Sequence, residues 1–234
     1  MTQSSEPKKR ITESLNRVAF RVSARFKYVL FPLDIPTFAA ALTARDFIAS
    51  SEPPEEPIAI PPGGAIGGRG IVGRKGDLRA DIDTDKQFFG VSGRQDPKLV
   101  IGELRSLIAE LSDVVDLTHA EFFELQTRYK VARPGGALAM TAHLGQKAKI
   151  VEIASKAFSQ PLQLYSAQLI SRGGEPNSPD YFEIWLQPVP SLASVLGLAV
   201  IMRKPDLNEF ERLAYQLEEK ISALLSLSAK DQSG

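Results

Sequence analysis

The stretch Tyr181-Phe-Glu-Ile-Trp-Leu-Gln187 alternates with the two-residue period of a strand: Phe182, Ile184 and Leu186 fall on one face, Tyr181, Glu183, Trp185 and Gln187 on the other. A second apolar run, Leu198-Ala-Val-Ile-Met202, stops at Arg203-Lys204-Pro205. There Asp206 stands as an N-cap, and Glu209 three residues later completes a carboxylate-led capping box. The helix that follows places Leu207, Phe210, Leu213, Ala214, Leu217, Ile221, Leu224 and Leu225 at steps of three and four, leaving Glu211, Arg212, Glu218, Glu219 and Lys220 for water. Strands of this kind followed by a packed helix set the expected class: α+β, a mainly antiparallel sheet with helices on one face.

Upstream, Glu121 to Val131 alternates strictly, with Phe123, Leu125, Thr127, Tyr129 and Val131 opposite Phe122, Glu124, Gln126, Arg128 and Lys130. Asp96 and Pro97 occupy the N-cap and first position of a helix predicted to reach Asp113, with Val100, Leu104, Leu107, Ile108 and Leu111 inward. Lys86 to Val91 and Leu162 to Ser171 are predicted strands. Leu144 to Ser159 is a predicted helix with Ile150, Val151, Ile153, Ala154, Ala157 and Phe158 inward, ended by Pro161. Phe89 to Leu99 and Leu198 to Leu207 echo one another, each reading strand, basic residue, Asp/Pro cap, helix. Two examples are too few to define a repeat.

Toward the N-terminus, Ile11, Leu15, Val18, Val22, Phe26 and Val29 mark a helical stripe flanked by Arg10, Arg17, Arg21, Arg25 and Lys27. Residues 1–50 are therefore expected to form a basic amphipathic helical arm, with a second short helix after Pro36. The run Ser50-Ser-Glu-Pro-Pro-Glu-Glu-Pro57 and the glycine tract after it make residues 51–77 a Pro/Gly-rich linker, residues 78–228 the α+β domain and residues 229–234 a tail.

Composition narrows the function classes. Hydrophobic residues make up 43% and charged residues 24%, as in a folded domain, and 28 basic side chains balance 28 acidic ones, so no global field draws the chain to nucleic acid or membrane. The lack of cysteine excludes disulfides and thiolate chemistry, and two histidines are too few for a multi-histidine metal centre. No signal peptide and no transmembrane segment is read, because the N-terminus is polar and the most apolar window, Tyr28 to Ala49, contains Asp34, Arg45, Asp46 and two prolines. The expected location is the cytoplasm.

Gly68, Gly70 and Gly73 match G-x-G-x-x-G, but a Pro-rich segment stands where the preceding strand should be, and Gly76 follows Lys75 where a P-loop needs Ser or Thr. Asp81, Asp83 and Asp85 open like a calcium loop, yet Lys86 replaces its glycine and Ser92 its glutamate. Carboxylates on an exposed edge strand are the expected reading. His119 and His143 sit in no nucleophile or metal motif. Glu124, Gln126, Arg128, Lys130, Tyr181, Glu183, Trp185 and Gln187 are expected together on the far face of the sheet, with the N-terminal helices or another subunit over Trp185.

These readings point to a non-enzymatic assembly or adaptor subunit without cofactor, binding a protein partner or a second copy. The expected contacts are Arg10, Arg17, Arg21, Arg25, Lys27, Arg69, Arg74, Lys75, Arg128, Lys130, Tyr181 and Trp185. The alternative is a nucleic-acid-associated protein using the basic arm and the Gly/Arg-rich loop on phosphates. The third reading is an enzyme whose pocket no local motif reveals.

Overall fold

A computed structural model describes residues 15–27, 35–49, 69–84, 86–112, 119–132, 136–146, 149–190 and 192–230. Its elements in order are β1 Leu15–Phe26, α1 Ile35–Ala44, β2 Ile48–Ala49, β3 Arg69–Lys75, β4 Leu78–Asp83, β5 Phe88–Gly93 and α2 Pro97–Glu110. Then follow β6 Ala120–Ala132, α3 Ala137–Gln146, α4 Lys149–Ala157, β7 Ala167–Ile170, β8 Tyr181–Val189, β9 Leu192–Lys204 and α5 Leu207–Lys230. The nine strands form one sheet in the order β2-β3-β4-β5-β1-β6-β9-β8-β7, antiparallel at every pairing.

The order is nearly palindromic about the β1–β6 pair. Each half contains a strand, a helix, a three-stranded meander and a closing helix: β1, α1, β3 to β5, α2 in the first, with the short β2 added, and β6, α3, β7 to β9, α5 in the second, with α4 added. The echo between Phe89–Leu99 and Leu198–Leu207 thus falls on equivalent places, the β5–α2 and β9–α5 junctions. Asp96 accepts from the Lys98 amide at 2.8 Å and Asp206 from the Glu209 amide at 2.7 Å. The two closing helices meet above the sheet centre, where Arg105 of α2 lies 3.3 Å from Glu211 of α5.

Most of the buried apolar strand positions turn to one side. Val22 pairs with Val91 and Leu125, Leu125 with Met202, and Ile184 with Val200, and all of these are buried. Val100, Leu104, Leu107 and Ile108 of α2 and Phe210, Ala214, Leu217 and Ile221 of α5 join the same core. Each fully buried Leu, Val or Phe there contributes about 1.5–3 kcal/mol of transfer free energy.

Residues 15–26, predicted as part of a helix, form the central strand instead. The steps of four from Val18 to Val22 to Phe26, and from Arg17 to Arg21 to Arg25, suit a helical turn and also a strand, because four is a multiple of two. Phe20 and Ala24 discriminate: a helix with that stripe sends them to water, whereas β1 buries Phe20, Val22, Ala24 and Phe26 together. The helical arm is thus overturned for these residues, and β1 pairs with β5 and β6 of the expected domain. The short second helix is present as α1.

The glycine tract, predicted as linker to residue 77, becomes β3 from Arg69, and the boundary expected after residue 77 falls on the β3–β4 hairpin. Its glycines answer to space and turn geometry. A Cβ on Gly73 would lie 3.2 Å from a Leu42 methyl and 3.3 Å from Phe47 Cβ, and Gly76 holds φ +56° in the turn. Nor is β4 an edge strand, because β3 and β5 pair on either side of it. The predicted helix 144–159 divides into α3 and α4, and Ile150, Ile153 and Phe158, predicted inward, are 65%, 60% and 72% exposed. Amphipathic spacing marks an apolar face without saying whether a neighbour reaches it.

Candidate functional site

The core lies on one side of the sheet, packed under α1, α2, α3 and α5. The opposite face is assembled by strand register. One cross-strand row runs Glu183, Ile201, Gln126, Arg21, Ser92, Arg79 and Arg74 from β8 to β3, and beside it lies the row Trp185, Ala199, Arg128 and Ala19. The residues predicted to share the far face do so: Glu124, Gln126, Arg128 and Lys130 face Arg203, Ile201, Ala199 and Gly197 on β9, and beyond them Tyr181, Glu183, Trp185 and Gln187.

This face has two unlike parts. Around Glu124 it is closed by its own polar groups. Glu124 is 2% exposed and accepts from Arg203 Nε at 2.6 Å and from Gln126 Nε2 at 2.6 Å. Arg203 also donates to the Pro176 carbonyl and lies over the Phe122 and Tyr181 rings, with Arg25 on Phe122 and 3.4 Å from Glu121. Tyr181 is buried there, and its hydroxyl donates to Glu183 at 2.9 Å; burial first, then this bond, raises its pKa. Arg21 grips Asp81, with Nε 3.1 Å from both carboxylate oxygens. Burial works against the Arg21 charge, but Asp81, with Glu124 and Asp83 adding to it, holds the Arg21 pKa above the ordinary arginine value.

From the middle of the face toward the β3–β4 hairpin the surface is open. Small side chains, Ala19, Ser92 and Ala199, line the floor of two adjoining concavities of about 470 Å³ and 380 Å³ that share Ala19, Phe20 and Ser92. Trp185, Arg128 and Glu183 flank the first; Arg74, Arg79, Arg94 and Asp77 surround the second. Trp185 is 44% exposed among the described residues. Arg79, Arg94, Arg128 and Lys130 are exposed and form no salt bridge with a described residue.

The predicted contact residues therefore separate. Arg128, Lys130, Trp185 and Arg74 lie on or beside the open surface, while Tyr181, Arg21 and Arg25 belong to the closed lattice. Arg17 is turned to the helix side by a bulge between Arg17 and Ala19, and its Nε lies 2.9 Å from Glu218 of α5. Lys75 also points toward the helices, 2.8 Å from Glu103 of α2. Lys27 follows β1, its amide donating to the His119 carbonyl at 3.0 Å. Arg69 lies in β3, His143 in α3, and Arg10 and Asp85 outside the described residues. Ala19, Ser92, Arg94, Ala199 and Ile201 were not anticipated. Alternation along Leu198–Met202 places Ala199 and Ile201 opposite the core, but only register brings them beside Trp185.

The open surface offers guanidinium groups, an indole, amides and short apolar side chains, which suit recognition of a carboxylate- or phosphate-bearing chain. Among the described residues, no group of three or more His, Cys, Asp or Glu is placed to hold a metal ion, and no helix is long and apolar enough to cross a membrane. No protein-family model matches the chain, and no curated protein sequence matches it significantly.

Proposed function

We propose that this protein is a non-enzymatic adaptor or assembly subunit, working in the cytoplasm, that docks a partner polypeptide in the groove on the open face of its sheet. The observation that carries the reading is the groove itself: a concavity of about 470 Å³ lined by Ala19 and Ala199, with Trp185 exposed beside it, on the face opposite the core. Exposed aromatic and arginine side chains around a small-residue floor are the usual anchors of a protein interface. A concave patch does not fill itself, so the occupant is a protruding or extended segment, of a partner or of a second copy.

Site-specific photo-crosslinking tests this. A photoreactive side chain at Gln126, inside the groove, is expected to capture a polypeptide of defined mass, whereas the same group at Leu99, exposed on the helix side, captures none. Filling the groove by Ala199→Phe removes the Gln126 adduct. Equal capture at both positions, or capture that survives Ala199→Phe, overturns the proposal.

A second reading, nucleic-acid binding, is favoured by the gathering of Arg74, Arg79, Arg94, Arg128 and Lys130 on one face. It requires affinity that falls steeply with salt, with a log–log slope close to the number of phosphates neutralised.

A further inference from the structure

We infer that the groove's occupant is a short extended acidic segment, lying across the strands with an apolar residue at the Trp185 end and carboxylates at the β3–β4 end. The inference rests on the docking reading above and adds the partner's chemistry and direction.

The two ends of the groove differ in charge. At the β8 end its surface is Trp185, Ala199 and Ile201, and the carboxylate of Glu183 is already engaged by the Tyr181 hydroxyl at 2.9 Å and by Gln168 Nε2 at 2.6 Å. At the other end three guanidiniums, Arg74, Arg79 and Arg94, surround one carboxylate, Asp77. Arg79 and Arg94 carry no salt bridge to a described residue, so an incoming carboxylate does not have to break one, and the planar fork of arginine donors matches carboxylate oxygens in pairs. Arg128, midway, offers a further cation on the same track.

Length follows from sheet geometry. From β8 to β4 there are five inter-strand steps, through β9, β6, β1 and β5. At about 4.8 Å per step this is roughly 24 Å, which an extended chain spans with about seven residues. Nucleic acid fits less well. Each base gains most from a stacking platform, and Trp185 is the one exposed aromatic among the described residues lining the groove, Tyr181 being buried in the lattice beside it.

The test pans a display library of random peptides on the full chain at low salt and reads binding by the fluorescence of Trp185, the single tryptophan of the protein. Selected peptides are expected to share an apolar residue followed by acidic ones, to perturb Trp185 emission, and to lose affinity about tenfold or more against Arg79→Glu/Arg94→Glu while retaining it against Lys149→Glu on α4. Peptides without acidic bias that still require an open groove, by loss of binding to Ala199→Phe, would overturn the charge inference and leave the docking reading standing. Peptides indifferent to Ala199→Phe, or no selection at all, would sink both. Displacement of the selected peptides by polyuridylate at lower concentration than by polyglutamate would assign the groove to nucleic acid.

Discussion

One face of one sheet carries two regions with opposite fates. Around Glu124, arginines are spent on partners inside the molecule: Arg203 and Gln126 hold its carboxylate, and Arg25 and Arg203 roof Phe122. A few residues along the same strands, Arg128 and Lys130 reach water with no salt bridge to a described residue, beside Trp185. The difference lies in what each strand places opposite them. Arg203 stands across from Glu124, whereas Arg128 stands between Ala199 and Ala19, which are too short and too apolar to answer a guanidinium. A sheet surface becomes self-sufficient where cross-strand neighbours are complementary, and stays available for a partner where they are small.

The largest expected effect breaks the closed region. Arg203→Met leaves a buried carboxylate with its charge uncompensated and should destabilise the fold by about 3 kcal/mol in urea unfolding. Adding Glu124→Leu should recover much of the loss. Arg128→Met, the same change in the open region, should alter stability by less than about 0.5 kcal/mol. Equal losses for the two arginines would erase the distinction between the regions.

A second contrast separates consecutive residues on opposite faces. Next to exposed Arg128, Tyr129 is buried on the helix side with its hydroxyl unpaired. Burial pushes its pKa up to about 12, with Glu218 adding to the rise and Thr127 and Arg17 opposing it. A tyrosine in the unfolded chain titrates near pH 10. Below pH ~10 both states keep the proton; between pH ~10 and ~12 the unfolded chain ionises first, so stability falls as pH rises. Over that window the wild-type protein should lose about 2–3 kcal/mol more than Tyr129→Phe. Near neutral pH that variant should be as stable as the wild type or slightly more so, because no hydrogen bond is removed. Parallel pH profiles for the two proteins would show that the hydroxyl is not desolvated.

The smallest stability effect sharpens the open region. Ala199→Phe adds a ring above the sheet rather than in the core, so the thermal midpoint should move by less than about 2 °C while docking is lost. A fall of several degrees would mean that Ala199 is packed and that its groove is part of the protein's own interior.

Much of the fold was legible because local signals agreed with the global one. The caps at Asp96 and Asp206 and the alternation through Tyr129 and Ile184 all lie where expected. β1 was not legible, since the four-residue steps of Val22 to Phe26 and Arg17 to Arg25 satisfy helix and strand alike. The choice was made by sheet neighbours far away in the chain that bury Phe20 and Ala24. For the same reason alternation within one segment did not show which arginines are held inside the sheet. A strand offers its arginines to cross-strand carboxylates, and Arg21 found Asp81, 60 positions away.

The sequence by itself determined the α+β class, the alternation of β6 and β8, and the start of both closing helices, because periodicity and capping are local and carry their own energetics. Only the tertiary structure decided that the basic N-terminal stretch is the sheet's central strand, that the glycine tract ends in a paired hairpin, and that Trp185, Arg128 and Arg79 border one groove. Those outcomes depend on register between distant segments, which alternation within a single strand does not specify.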